Sequence, residues 1–311
     1  MRSLRLLCAV LGLARVVSAS TVWIDTDVSI GSPIREVDDA FALVLAFHSP
    51  EIQIAGMSTT YGNAPLGATT RAAQDLARRF GHSGGLAVDR VFAGAASASD
   101  LGRRSAASDA FAAALEKQRI TYIALGPLTN LATFLQLHPR LAHRIERVVF
   151  VGGQASREDL AFGPNRSFHI HDANVFKDST ATAVVLHSNI PLTLVPIATG
   201  SRLTMGRADL RELERSGDAG QYLSRRSTIW LWFWTNFAKT NGGPIFDALA
   251  IVPVTRPELL SIKKQYATMD EAASVVVTSR RMNGARPVRY CTRFAPGTKR
   301  FVMERLGFNA R

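Results

Sequence analysis

Apolar runs rich in β-branched residues alternate along the chain with stretches of helical composition. The predicted strands are Thr21 to Ile24, Ile52 to Thr60, Leu86 to Ala93, Ile120 to Leu125, Arg147 to Val151 and Leu192 to Pro196. The predicted helices are Ala40 to Phe47, Gly67 to Phe80, Asp109 to Gln118, Leu128 to Leu137 and Ser179 to Leu186. Strands and helices that alternate favour a parallel sheet between helical layers. The pattern therefore predicts an α/β, Rossmann-like fold with a mostly parallel central sheet and helices on both faces.

The polar and glycine-containing motifs of the chain follow predicted strands rather than interrupting them. They are DTD at Asp25, TTYGN at Thr59, ALGPLTN at Ala124 and VGG at Val151. In open parallel sheets, ligands bind beyond the carboxyl ends of the strands. The positions of these motifs therefore predict a binding site at that edge of the sheet.

Five aspartates provide the first chemical signal: Asp25, Asp27, Asp38 and Asp39 near the N-terminus, and Asp247 much later. Carboxylates gathered in a partly buried site repel each other unless a cation is present. Oxygen ligands without nearby Cys or His favour a hard divalent ion, of which Ca²⁺ is the best match. The alternative is that Asp38 and Asp39 favour the positive end of the following helix.

The first 19 residues differ from the rest of the chain. Arg2 and Arg5 precede an apolar run, Leu6 to Ala14, and Val17-Ser18-Ala19 resembles a signal-peptidase cleavage site. We expect residues 1–19 to be a signal peptide and the protein to be exported, to the periplasm or outside the cell. The alternatives are that the segment is an N-terminal tail or a short anchor. If the segment is not a signal peptide, we expect the protein to be cytoplasmic.

The remaining residues, 20–311, contain no linker, repeat or membrane-length apolar run, so we expect a single domain without stable membrane insertion. Cleavage would remove Cys8 and leave Cys291 without an intramolecular disulfide partner. Cleavage would also remove three arginines and lower the net charge from +12 to +9. Because the excess arginine is dispersed and no nucleic-acid-binding motif accompanies it, we expect no nucleic-acid partner.

Several motifs, in this order, resemble the inosine–uridine-preferring nucleoside hydrolase family. They are Asp25-Thr26-Asp27 with Asp38-Asp39-Ala40, STTYGNA at Ser58, ALGPLTNLA at Ala124, VFVGGQ at Val149, DANVFKD at Asp172 and FDALA at Phe246. The resemblance covers most of the chain after residue 19. It implies the nucleoside hydrolase fold and Ca²⁺-dependent hydrolysis of the N-glycosidic bond of a ribonucleoside to ribose and free base.

The resemblance also implies roles for individual residues. Ca²⁺ would be bound by the carboxylates of Asp27, Asp39 and Asp247 and by the backbone carbonyl of Leu125, with Asp27 also acting as general base. The implied ribose contacts are Asp38, Asn63, Asn165, Asp172, Asn174 and Asp247. A small nucleoside is the implied partner, and a homodimer or homotetramer the implied assembly.

Three features depart from the family pattern. Ten residues, 28–37, separate Asp27 from Asp38, which is more than the short family loop. Phe246 replaces a His that in many members can protonate the leaving base, and Asp172 replaces a Glu. A purine leaving group would then need a different acid or an activated base.

Two histidines are candidates for that acid. His169 and His171 lie in SFHIHDAN beside Asp172, and alternation along an extended segment would place both on one side. The alternative is that both are surface or structural residues.

An aromatic segment, WLWFW from Trp230, has two interpretations. On a regular helix Trp230, Phe233, Trp234 and Phe237 share one face, which suits either core packing or stacking against a base. The candidates for base stacking are Trp232, Trp234 and Phe246.

Two further functions remain open from the sequence. A catalytically impaired protein of the same fold could bind a nucleoside or pentose without turnover, because Phe246 and the longer loop could impair chemistry. A hydrolase of another N-riboside, for example one with a modified base, would use the same site.

Overall fold

The computed structural model describes residues 19–31, 35–154, 160–270 and 273–307. The predicted signal peptide, residues 1–19, lies outside the described residues apart from Ala19. Within the described ranges, no helix is both long and apolar enough to cross a membrane.

The strands are β1 Ser20–Thr26, β2 Ile52–Thr59, β3 Val91–Ala93, β4 Ile120–Ala124, β5 Ile145–Val151, β6 Leu160–Phe162, β7 Phe168–Ile170, β8 Leu192–Val195, β9 Thr204–Met205, β10 Gly243–Pro244, β11 Leu260–Met269, β12 Val275–Thr278 and β13 Arg286–Phe294. The helices are α1 Asp38–Phe47, α2 Leu66–Phe80, α3 Ala106–Lys117, α4 Thr129–Leu137, α5 Ala173–Lys177, α6 Ser179–His187, α7 Ile197–Gly200, α8 Arg207–Arg215, α9 Asp218–Arg226, α10 Thr228–Trp232, α11 Ala248–Thr255 and α12 Gly297–Leu306.

Nine strands form the central sheet in the order β12-β11-β13-β8-β5-β4-β1-β2-β3. All neighbours from β13 to β3 pair in parallel, whereas β11 pairs antiparallel with both β13 and β12. The prediction of a mostly parallel sheet is confirmed. The antiparallel edge was not predicted.

Two hydrophobic layers cover the two faces of the sheet. Along β1, Val22 and Ile24 enter one layer and Trp23 enters the other, because successive side chains of a strand point to opposite faces. The first layer contains α1 and α11, and the second contains α3, α4 and α6. Helices therefore cover both faces, as predicted.

Helix α1 is buried at every residue, which is why its sequence is apolar almost throughout. It begins at Asp38 directly beyond the segment that follows β1, and its N-cap residue, Val37, makes no side-chain capping bond. The strong apolar character of α1 thus fixes two acidic residues, Asp38 and Asp39, at the carboxyl edge of the sheet.

The predicted strand Leu86 to Ala93 is wrong over its first half. Val88–Arg90 forms a single helical turn, and only Val91–Ala93 pairs with β2. Asp89 and Arg90 are exposed, so this part of the segment has no apolar face to bury against the sheet.

Candidate active site

A cavity of about 440 Å³ lies beyond the carboxyl ends of β1, β2, β4 and β5. Its polar side is formed by residues at these strand ends and at the starts of the neighbouring helices: Asp27, Asp38, Gly62, Asn63, Leu125, Asp172, Asn174, Lys177 and Asp247. The position agrees with the site predicted from the strand-end motifs.

Three buried carboxylates form the centre of the polar side. Asp38, Asp39 and Asp247 each offer an oxygen, and these oxygens lie within 4.8 Å of one another. The three residues are 5%, 0% and 4% exposed, and Asp38 Oδ1 has no hydrogen-bond partner. A set of oxygen donors that are close, buried and incompletely satisfied fits a hard divalent cation.

The electrostatics of the three carboxyls point to the same need for positive charge. Burial raises the pKa of Asp247 well above its usual range, and the carboxylates of Asp38, Asp39 and Asp27 raise it further. Burial also raises the pKa of Asp38, with Glu36 as the largest of its acidic neighbours. Without a cation, the ionised forms of these groups are unfavourable.

Asp39 is held in place by the end of β1. Its Oδ1 accepts hydrogen bonds from Thr26 Oγ1 at 2.5 Å and from the backbone N–H of Asp27 at 3.2 Å, and its Oδ2 accepts from Asn63 Nδ2 at 3.1 Å. These bonds link the first turn of α1 to two strand ends. Asp39 is therefore a site residue rather than a helix cap.

Asp27 faces the same cavity but has different partners. Its Oδ2 accepts from the backbone N–H of Asn63 at 2.8 Å and lies 3.7 Å from Lys177 Nζ. Gly62 makes this approach possible, because a Cβ there would lie 1.8 Å from Asp27 Oδ2. Burial and the neighbouring Asp39 raise the pKa of Asp27, while Lys177 and the Asn63 N–H oppose that rise.

The cluster of three differs from the predicted ligand set of Asp27, Asp39 and Asp247. Among the described residues, Asp38, for which the resemblance implies ribose binding, lies in the close cluster and Asp27 does not. Asp27 instead accepts from the Asn63 N–H and lies beside Lys177.

Asp25 lies within β1 and is fully buried. Its Oδ1 accepts from Ser58 Oγ at 2.6 Å and from Asn130 Nδ2 at 2.8 Å. Burial raises its pKa to about 6 in spite of these bonds. Asp25 therefore links three strand-end motifs and does not line the cavity.

Asn174 joins the ends of β4 and β5. Its Nδ2 donates to the carbonyl oxygens of Leu125 at 2.6 Å and Val151 at 3.0 Å. The Leu125 carbonyl, predicted as a metal ligand, thus reaches the cavity but already accepts one hydrogen bond. A carbonyl oxygen has a second lone pair available.

Asp172 is fixed by backbone groups that follow β5. Its Oδ2 accepts from the N–H groups of Gly153 at 2.7 Å and Gln154 at 3.1 Å. Burial raises its pKa. Its position on the cavity wall, near Asn174, agrees with the predicted contact region.

Two predicted site residues lie elsewhere. Asn165 sits in an exposed turn and does not line the cavity, so the structure does not place it beside a bound sugar. His169 is also exposed and outside the lining, whereas His171 lines the cavity and stacks on Phe176 at 5.6 Å. Strand alternation predicted both histidines on one side, but His171 lies beyond the end of β7 at Ile170, so alternation does not relate the two.

An aromatic wall also lines the cavity. It consists of Phe168, Trp230, Phe233, Trp234 and Phe246. Trp234 contacts Phe168 edge-to-face at 5.7 Å and Phe246 at 6.3 Å. Of the candidates for base stacking, Trp234 and Phe246 line the cavity, and Trp234 is also packed in the core with 1% exposure.

Trp232 and Phe237 do not belong to the wall. Trp232 is 59% exposed, because it projects from α10 away from its neighbours Trp230 and Trp234. Phe237 is 63% exposed. The helix widens after Trp232, where Ala238 N–H donates to the carbonyl of Phe233, five residues earlier, so the regular helical period fails there.

Comparison with known proteins identifies the family of the chain. A family model described as inosine-uridine preferring nucleoside hydrolase matches residues 22–298. The chain belongs to this family of hydrolases.

Named relatives of this nucleoside hydrolase differ in the activity that their names state. The non-specific ribonucleoside hydrolase RihC of Klebsiella pneumoniae subsp. pneumoniae is 27% identical over 264 residues, which cover 75% of this chain and 81% of that protein. Uridine nucleosidase 1 of Arabidopsis thaliana is 27% identical over 266 residues, covering 78% of this chain and 75% of that protein. A solved plant nucleoside hydrolase, PpNRh1, superposes with a TM-score of 0.78 at 21% identity, covering 93% of this chain and 99% of that chain, which supports the fold.

Sequence reasoning missed two charged residues of this nucleoside hydrolase site. Glu36 lines the cavity, accepts a hydrogen bond from Trp230 Nε1 at 2.7 Å, and has a pKa that burial raises to about 7. Lys177 lies three residues after Asn174 on α5, so helical spacing could have placed both on one face. No local signal marks Glu36, because its burial depends on a tryptophan almost 200 residues away.

The buried carboxylates predict how this nucleoside hydrolase responds to calcium. Adding Ca²⁺ at pH 7–8 should raise the melting temperature, because ion binding relieves the repulsion among Asp38, Asp39 and Asp247. Since the pKa values of these carboxyls are raised in the folded state, the metal-free protein loses stability as the pH rises through those values. At acidic pH, protons compete with the ion for the same carboxylates. The calcium-induced shift, measured by thermal unfolding, should therefore shrink below about pH 5.

One variant distinguishes calcium bound by these three carboxylates from calcium bound elsewhere on the protein. Asp247→Asn should raise the melting temperature of the metal-free protein by about 2–4 °C, corresponding to about 1 kcal/mol, and abolish the calcium shift. Glu116→Gln, an exposed carboxyl on α3, should leave both unchanged. An undiminished calcium shift in Asp247→Asn would contradict the assignment.

Proposed function

We propose that this protein hydrolyses the N-glycosidic bond of ribonucleosides, with Ca²⁺ as cofactor, to give ribose and free base. The observation that carries the proposal is the cluster of buried, incompletely satisfied carboxylates beside Asp27 in a cavity of about 440 Å³. A cavity of this size accommodates a small ligand such as a nucleoside. The aromatic wall of the same cavity suits a planar base.

The carboxylate cluster supports binding of the ion. Asp38, Asp39 and Asp247 would hold it, with Asp27 and the Leu125 carbonyl at the edge of the same group. When bound, Ca²⁺ supplies positive charge that lowers the pKa of water and offers oxygen coordination to a sugar diol. The oxygen-only donor set favours Ca²⁺ over softer metals.

Asp27 is the proposed general base. Its Oδ2 is fixed by the Asn63 N–H, and Lys177 favours its ionised form. The carboxylate takes a proton from the attacking water while the bond between the sugar and the base breaks. The negative side chains around it stabilise the positive charge that develops on the sugar in an oxocarbenium-like transition state.

The ribose hydroxyls are proposed to bind along the polar side. Asn63, Asn174 and Asp172 line the cavity with side chains that hydrogen bonds hold in place. Asp38 provides an unoccupied acceptor, Oδ1. Asp172 would reach toward the 5′-hydroxyl.

His171 is the proposed proton donor for a neutral leaving base. It is the histidine of the SFHIHDAN segment that lines the cavity, whereas Phe246, next to Asp247, cannot transfer a proton.

We further propose that residues 1–19 direct export of the protein. We also propose that it assembles as a homodimer or homotetramer, and size-exclusion chromatography with light scattering would measure that oligomeric state.

Asp27→Asn tests the general base. The amide keeps the size of the side chain and an oxygen that can accept from the Asn63 N–H, so binding should persist. It cannot take a proton, and kcat for inosine or uridine should fall by about 10²–10⁴. Release of reducing sugar gives kcat, and calorimetry of the variant gives nucleoside affinity.

The wild-type protein must release ribose for that comparison to have meaning. Nucleoside binding without ribose release from inosine, uridine, adenosine or guanosine would instead identify a binding protein of this fold. Unchanged turnover in Asp27→Asn would show that the base is another residue. Glu116→Gln serves as the control for an exposed carboxyl.

His171→Ala and His169→Ala form a matched pair for the proton donor. Loss of His171 should lower kcat for inosine by about 10²-fold and alter the pH–rate profile, because a neutral purine leaves poorly without a proton. His169→Ala, outside the cavity, should match the wild type. Identical pH–rate profiles for all three proteins would remove His171 from the mechanism.

A further inference from the structure

The longer loop between β1 and α1 brings an extra carboxylate to the aromatic wall. The Ser29 hydroxyl donates to the backbone carbonyl of Glu36 at 2.8 Å, and the Trp230 indole N–H donates to Glu36 Oε2 at 2.7 Å. Val28 and Val37, at the two ends of the loop, are buried. Glu36 is therefore held against the edge of the Trp230 ring by the described parts of the loop.

Glu36 forms no close ion pair among the described residues. No Lys, Arg or His nitrogen from that part of the chain lies within 4.0 Å of its carboxylate; Lys177, whose charge lowers the pKa of Glu36, lies 3.7 Å from Asp27. Asp172, a further carboxylate outside the cluster, accepts two backbone N–H bonds, at 2.7 and 3.1 Å. Glu36 is instead held by the hydrogen bond from the Trp230 indole.

The surroundings of Glu36 suit a flat cation. Trp230, Phe233, Trp234 and Phe246 offer aromatic rings to the cavity, and aromatic faces attract cations, most strongly when the site is screened from water. A carboxylate beside such rings adds a direct charge interaction. The exposed Arg35 also lines the cavity and opposes this attraction.

We propose that the cavity prefers ribonucleosides whose base carries a fixed positive charge, and that Glu36 determines this preference. The inference rests on the proposed hydrolysis and specifies its substrate class. In the reaction, water oxygen bonds to C1′ as the C1′–N bond breaks, and Asp27 accepts the proton of the water. The electron pair of the broken bond stays on the base nitrogen and cancels the positive charge, so a neutral base leaves without protonation. The substitution of Phe246 for an acid is then no obstacle.

Glu36→Gln tests the preference with a matched substrate pair. The probes are 7-methylguanosine, assayed at about pH 7, where both the cationic base and the ionised carboxylate of Glu36 are present, and guanosine, which lacks the methyl group and is neutral. In Glu36→Gln, kcat/KM for 7-methylguanosine should fall about tenfold or more, while that for guanosine should change less than about threefold. Comparing each substrate between variant and wild type cancels the greater intrinsic reactivity of the cationic base.

Two further variants keep the test decisive if Glu36→Gln folds poorly. Glu36→Asp retains the charge and should keep most of the preference. Arg35→Gln removes the opposing cation from the same loop and should change the preference in the other direction, raising it. Nicotinamide riboside, whose base is cationic at every pH, should follow 7-methylguanosine in each variant.

The outcomes separate this inference from the proposed hydrolysis. Equal losses for both guanosines, no loss for either, or a lowered preference in Arg35→Gln would overturn the role of Glu36 while leaving nucleoside hydrolysis intact. Absence of ribose release by the wild type from every neutral and cationic nucleoside would instead overturn the hydrolysis itself.

Discussion

Repulsion among buried carboxylates at one edge of the sheet is the constraint on which this molecule depends. The apolar strand β1 ends at this edge, and α1, buried along its whole length, begins there with Asp38 and Asp39. Asp247 arrives at the same place immediately before α11, another fully buried helix. The hydrophobic layers thus force together charges that water would otherwise separate. The positive charge of a bound cation would offset the repulsion among these carboxylates.

The cavity lining combines two kinds of chemistry. Its polar residues are carboxylates and amides, several of them fixed by hydrogen bonds, and the ammonium group of Lys177, which lies 3.7 Å from Asp27. Its aromatic residues lie beside one extra carboxylate, Glu36. In the proposed reaction the polar residues would bind the sugar and water and supply preorganised charge, and Glu36 would bear on which base is accepted.

The sequence predicted the parts of this structure that depend on local pattern. Alternating strands and helices predicted the parallel sheet, strand-end motifs predicted that Asp27 and Leu125 would reach one cavity, and the family resemblance added Asp247. The missed features depend on contacts between distant segments or on irregular geometry. Glu36 is held at the cavity by a hydrogen bond from the distant Trp230, Asp38 lies in the close cluster while Asp27 accepts from Asn63, and the widened turn after Trp232 breaks the regular helical period.

The central claim is that the acidic cluster binds one calcium ion. A crystal structure of the protein grown with millimolar Ca²⁺, with anomalous scattering used to identify the ion, tests it most directly. The account predicts one ion with oxygens of Asp38, Asp39 and Asp247 at about 2.3–2.6 Å, and room beside Asp27 for water. Well-ordered carboxylates with no ion between them under those conditions would contradict it.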